Sequence, residues 1–106
     1  MEIDVTSVKT KLDEGQECLL LDVRETKEYE VAKIEGAILI PMSEIQSRLE
    51  ELEPHRDSEI IVHCHHGGRS AQVMEWLQGQ GYGNVKNMTG GIDVWSQVID
   101  TDVPRY

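Results

Sequence analysis

The chain has 106 residues, 39% of them hydrophobic and 28% charged, which is enough to bury one core without disulfides or a structural metal and too apolar for a disordered chain. Ten Lys and Arg against twenty Asp and Glu give a net charge of −10, which argues against nucleic acid and anionic membrane surfaces as partners, since both are polyanions. No apolar run approaches the roughly 18 residues of a membrane helix, and Met1 to Asp4 lacks the basic and apolar regions of a signal peptide, so one domain over residues 1–106 in the cytoplasm is expected.

Val5, Val8 and Leu12 share one face of a helix, with Asp4 as its cap and Gly15 as its stop. Cys18-Leu19-Leu20-Leu21-Asp22-Val23 reads as a short strand buried on both faces. Thr26 to Lys33 is a short polar helix or turn, and Ala37 to Ile40 is a second buried strand stopped by Pro41. Ser43-Glu44-Ile45-Gln46 fits a capping box, and Ile45, Leu49 and Leu52 follow at helical spacing. After a polar loop over Pro54 to Ser58, Ile60 to Cys64 is a third strand. His65 to Gly68 is a loop. Ser70 starts a helix whose buried side is Ala71, Val73, Met74 and Leu77. Val85 to Met88 is a fourth strand, and Gly90-Gly91 precede a last helix carrying Ile92, Val94, Trp95 and Val98. Short apolar strands alternating with helices predict an α/β fold: a central, mostly parallel sheet of four or five strands with helices on both faces. Such sheets bind ligands beyond the carboxyl ends of their strands. Two polar motifs fall there, Asp22-Val23-Arg24 and Cys64-His65-His66-Gly67-Gly68-Arg69-Ser70.

The two cysteines, Cys18 and Cys64, are not in a CxxC pair, and in a reducing compartment both are expected as free thiols. Cys64 ends a strand and opens a loop into a helix N-terminus, where unpaired amides and the helix dipole favour negative charge. Gly67 and Gly68 let the backbone aim its amides inward as an anion-binding nest, and Arg69 adds a permanent cation. The expectation is a cradle from Gly67, Gly68 and Arg69 that lowers the Cys64 pKa and makes the thiolate a nucleophile. Ser70 starts the helix and can donate a hydrogen bond. Cys18 has no such surroundings and reads as packing, as does Tyr29.

These residues resemble the rhodanese-like (sulfurtransferase) domains. Leu21-Asp22-Val23-Arg24 looks like the family's Asp-x-Arg motif, and Tyr29 and Gly36 to Pro41 look like its next segment. Cys64 to Ser70 matches the single-domain active-site loop Cys-x-x-Gly-x-Arg-Ser. Gly81 to Val85 and Gly90 to Trp95 match the closing segments. The resemblance implies sulfane-sulfur transfer: Cys64 takes sulfur from a small donor such as thiosulfate, or from a protein persulfide, and passes it to cyanide or a thiol. It implies a supporting role for Asp22 and Arg24, which would hold the loop, and no metal or organic cofactor. A monomer or weak dimer is expected. Ala32-Lys33-Ile34-Glu35 departs from the family's usual Gly-His-Ile-Pro, a peripheral change. Members that use thiosulfate well carry Arg or Lys early in the loop, where this chain has His65 and His66. Those histidines are expected at the pocket mouth, where they tune donor choice. Partly charged histidines on a −10 protein predict weak use of the thiosulfate dianion.

Three other readings compete. A phosphatase or arsenate reductase needs five residues between Cys and Arg to wrap a tetrahedral oxyanion, and this loop has only His65, His66, Gly67 and Gly68. The run His63 to His66 is dense in metal ligands, but successive strand side chains diverge and no second cluster has zinc-ligand spacing. A sulfur-carrier or regulatory binding module with little turnover of its own remains open. The acidic stretch from Glu44 to Glu59 reads as a solvated face, or else as a docking patch for a basic partner.

Overall fold

The computed structural model describes residues 1–106. Its elements are β1 (Glu2–Ile3), α1 (Val5–Asp13), β2 (Cys18–Asp22), α2 (Thr26–Val31), β3 (Ile38–Leu39), a 3-10 helix (Leu49–His55), β4 (Glu59–His63), α3 (Gly68–Gly79), β5 (Val85–Met88) and α4 (Gly91–Val98). The five strands pair in the order β1-β5-β4-β2-β3, all parallel. The sheet is therefore wholly parallel, and every strand ends at the same edge.

Side chains that alternate along a strand feed two cores. Leu19, Leu21, Ile60, Val62 and Cys64 pack with Val73, Met74 and Leu77 of α3 on one face. Leu20 and Ile61 pack with Val5 and Val8 of α1 and with Ile92 and Trp95 of α4 on the other. This two-sided burial is why the strands read as continuous apolar runs. The Asp4 carboxylate caps α1 by accepting from the Ser7 amide at 2.7 Å, as its residue type predicts.

Four details depart from the sequence reading. β1 adds a fifth strand ahead of the first helix, too short to carry an apolar pattern. β3 has only two residues, and as the outermost strand it leaves Ile38 exposed while Ile40 is buried. α3 starts at Gly68, not Ser70, because Gly67 takes the left-handed backbone at φ +117° and turns the chain into the helix. The segment from Ser43 forms turns and then the 3-10 helix instead of an α-helix. The Ser43 hydroxyl is not free to cap: it donates to the Glu25 carboxylate at 3.1 Å. The capping box lies instead at the start of α2, between Glu25 and Glu28. Ile45 and Leu52 are still buried, so the apolar spacing marks the core-facing side correctly.

Candidate active site

β4 delivers Cys64 to the carboxyl edge of the sheet, and the loop over residues 65–67 curls back over it into α3. The Cys64 sulfur accepts hydrogen bonds from the Gly67 amide at 3.1 Å, the Ser70 amide at 3.4 Å and the Ser70 hydroxyl at 3.3 Å. Burial alone would push the thiol up. The Ser70 hydroxyl and the amides of Ser70, Gly67 and Arg69 outweigh it and leave the pKa below its ordinary value. The N-terminus of α3 thus favours the thiolate over the thiol, at a residue enclosed to the point that Cys64 is 1% exposed.

The donors are themselves positioned. Ser70 is fully buried, and its one hydroxyl proton is shared between the Cys64 sulfur and the acceptor Asn87 Oδ1 of β5. Asn87 Nδ2 donates to the Gly67 carbonyl at 3.2 Å. The start of α4 seats the other end of the loop: the Ile92 and Asp93 amides donate to the carbonyls of Cys64 (2.9 Å) and His65 (3.1 Å). This close approach requires Gly91, whose φ is +60° and where a Cβ would stand 2.5 Å from both carbonyl oxygens.

Of the residues singled out in the sequence, Cys64, Gly67 and Ser70 converge on the sulfur. Gly68 makes no bond to it. Arg69 differs from expectation: it directs its amide toward the sulfur, while its guanidinium turns to Glu28 in a bidentate pair at 2.6 and 2.9 Å. The carboxylate of Glu28 is held down to about 2, chiefly by Arg69. The cradle is thus built of backbone amides and one hydroxyl, because the only arginine in the loop is paired elsewhere.

His65 and His66 sit at the loop's outer side, half-buried and exposed respectively. The His65 ring stacks on Tyr106 with centroids 4.0 Å apart and planes 8° apart. Burial and the neighbouring His66 lower its pKa from the ordinary histidine value, which favours the uncharged ring. His66 Nδ1 lies 3.8 Å from Asp93.

Asp22 and Arg24 lie fully buried on the opposite face from the sulfur. They bond each other, Arg24 Nη2 to Asp22 Oδ2 at 2.7 Å, and neither hydrogen-bonds to a residue of the loop. Arg24 instead binds the Ala32 carbonyl (2.7 Å), the Glu28 carbonyl (3.3 Å) and the Tyr106 oxygen (2.9 Å). Any hold on the loop therefore passes through Glu28 and Tyr106. His63 lies beside this pair, its Nε2 3.8 Å from Asp22 Oδ2, and burial lowers its pKa. His63 and Cys64 face opposite sides of the sheet, and no three His, Cys, Asp or Glu side chains converge as a metal site would need. No helix is long and apolar enough to cross a membrane. Cys18 stands at the start of β2, where burial and Glu59 push its thiol up. Tyr29 is half-buried under the Lys33 ammonium.

Sequence reasoning missed Glu28, Asn87 and Tyr106. Asn87 left a signal, a polar residue inside a strand with no solvated face, whereas Glu28 and Tyr106 look like ordinary surface residues. The two clefts in the surface, of about 300 and 360 Å³, are not lined by Cys64. What surrounds the Cys64 sulfur is a set of hydrogen bonds and not a deep pocket.

Known proteins share this architecture. The family model of the rhodanese-like domain matches residues 4–98. A sulfurtransferase of Allochromatium vinosum is 36% identical over 96 residues, covering 91% of this chain and 88% of that protein. A putative sulfur carrier protein of Bacillus subtilis is 37% identical over 95 residues, 90% of this chain, which spans 50% of that protein's length. Against a rhodanese-like/PpiC domain-containing chloroplastic protein of Arabidopsis thaliana the chain is 35% identical, with 99% of it aligned, and spans 37% of that protein. Among solved structures, a rhodanese-like domain protein of Staphylococcus aureus superposes with a TM-score of 0.84 at 30% identity, over 100% of this chain and 99% of the other. On fold, on sequence and on the matched domain, the chain belongs to the rhodanese-like domain family.

Proposed function

We propose that this protein moves sulfane sulfur through a persulfide on Cys64. The observation that carries the reading is the Cys64 sulfur held by three donors, the Gly67 and Ser70 amides and the Ser70 hydroxyl, at 3.1–3.4 Å. In the first half-reaction the Cys64 thiolate attacks the outer sulfur of the donor. The donor's S–S bond breaks, and sulfite leaves from thiosulfate, or a thiolate leaves from a persulfide, with the electron pair. The new terminal sulfur is an anion, which the loop amides would cradle as they cradle the thiolate. In the second half-reaction cyanide or a thiolate attacks that sulfur, and Cys64 regains its charge as leaving group. Neither half needs a metal or an organic cofactor. Asp22 and Arg24 would act at a distance, by fixing the backbone of α2 and the Tyr106 ring.

The short Cys64-to-Arg69 spacing supports sulfur over phosphate chemistry, since the loop closes on a single atom. The lowered pKa of His65, which favours the uncharged ring, supports weak use of thiosulfate and a preference for a persulfide donor, small or carried by a protein. A second reading, a sulfur carrier with little turnover of its own, is favoured by the nearly complete burial of Cys64 and by the likeness to a putative carrier.

Intact mass after incubation with thiosulfate, with and without cyanide, tests the proposal on wild type and Cys64→Ser. One added sulfur on wild type, removed by cyanide and absent from the variant, is the expected result. The same gain on Cys64→Ser would move the chemistry to Cys18 and sink the assignment. If thiosulfate adds nothing, cysteine persulfide is used instead, and no gain from either donor also overturns it. Multiple turnovers against a single stoichiometric transfer separate the enzyme from the carrier.

A further inference from the structure

Arg69 is the only lysine or arginine among residues 64–70, and both of its terminal nitrogens are taken by Glu28. Glu28 comes from α2, and its carboxylate is fastened by two further groups. Oε1 accepts from the Glu25 amide at 3.0 Å, and Oε2 accepts from the Tyr106 hydroxyl at 2.9 Å. Tyr106 is fixed in turn, its oxygen by the buried Arg24 and its ring by His65. The carboxylate is mostly shielded, with 22% of the Glu28 side chain exposed. A free cation here would attract an approaching anion, whereas a closed bidentate pair presents no net charge. The −10 of the whole chain repels anions at longer range.

We propose that Glu28 is a specificity-determining residue: by closing on Arg69 it removes the one fixed positive charge at the mouth of the Cys64 loop. The site thereby selects against dianionic sulfur donors such as thiosulfate and in favour of persulfides carrying one negative charge or none. This rests on Cys64 being the sulfur acceptor, but the charge at the mouth is measurable without any sulfur transfer.

The experiment compares wild type, Glu28→Gln, Tyr106→Phe and Arg69→Gln. For each, the rate of Cys64 alkylation by anionic iodoacetate is divided by that of neutral iodoacetamide, and kcat/KM is measured with thiosulfate and with cysteine persulfide. A change in thiol pKa moves both alkylations together and leaves their ratio unaffected. Glu28→Gln keeps the shape and frees the Arg69 charge. It is expected to raise the alkylation ratio about threefold and thiosulfate kcat/KM about tenfold, since the effect roughly squares for a dianion. Tyr106→Phe keeps the charge and is expected to stay within about twofold of wild type in the ratio. Arg69→Gln leaves Glu28 uncompensated and is expected to lower the ratio. An unchanged ratio in Glu28→Gln, or an equal rise in Tyr106→Phe, would overturn the proposal. If no variant accepts sulfur from either donor, the Cys64 persulfide reading falls, while the alkylation ratio still decides the role of Glu28.

Discussion

α3 and α4 both start from a glycine pair at the carboxyl end of a strand, and both have a left-handed glycine before the first turn, Gly67 at φ +117° and Gly90 at φ +84°. Their first-turn amides meet different partners. Those of α3 converge on a sulfur atom, and those of α4 on the backbone carbonyls of Cys64 and His65. The dipole and the unpaired amides are alike in kind at both ends. What differs is what the adjoining strand supplies. The α4 end, satisfied by carbonyls, is a joint, and the α3 end, satisfied by a sulfur atom, shifts the titration of the group it holds. Here the joint holds the backbone of the very residue whose sulfur the α3 end binds.

Breaking the joint has the largest expected effect. Gly91→Ala would force a Cβ to within 2.5 Å of two carbonyl oxygens, at φ +60°. Strain of this kind is expected to cost about 3 kcal/mol, read as a lower urea midpoint. A loss under about 1 kcal/mol would mean that α4 has slack against the loop. At the sulfur-binding end, Ser70→Ala removes the hydroxyl proton shared between the sulfur and Asn87. The hydroxyl favours the thiolate, so its loss moves the Cys64 pKa up and the pH profile of alkylation toward alkaline pH. At pH 7 the rate is expected to fall about two- to tenfold, the worth of one hydrogen bond. An unshifted profile would show that the amides suffice alone. Gly68→Ala should do least. Its Cβ would meet nothing within 4 Å and its φ is ordinary, so stability should change by less than about 1 kcal/mol, toward greater stability, with alkylation unchanged. A large loss there would show that both glycines of the pair are needed, and the contrast with Gly91 would blur.

The parts of this contrast differ in how far they could be read from the residues alone. The alternation of Leu19 and Leu21 against Leu20, and of Ile60 and Val62 against Ile61, marks strands covered on both faces. Cys64, the glycines and Ser70 lie within seven consecutive residues, so their meeting is a local matter of strand, turn and helix. Glu28 reaches Arg69 across 41 positions of sequence and Tyr106 reaches Arg24 across 82. Contacts of that span follow from topology, which sets strand order, and not from spacing. The Ser43 box failed for a related reason: a distant carboxylate, Glu25, engages the hydroxyl that local pattern assigns to an amide. Arg69 was misjudged in the same way, since its residue type is visible in the sequence and its partner is not.

The Tyr106 ring lies eight positions past the last residue matched by the domain model, which ends at 98, yet it stacks on the residue next to Cys64. The surroundings of Cys64 therefore extend beyond the segment that the family model matches. Two relatives alike across every motif could still differ in the aromatic wall beside the thiol, and comparisons confined to the common core would pass over that difference.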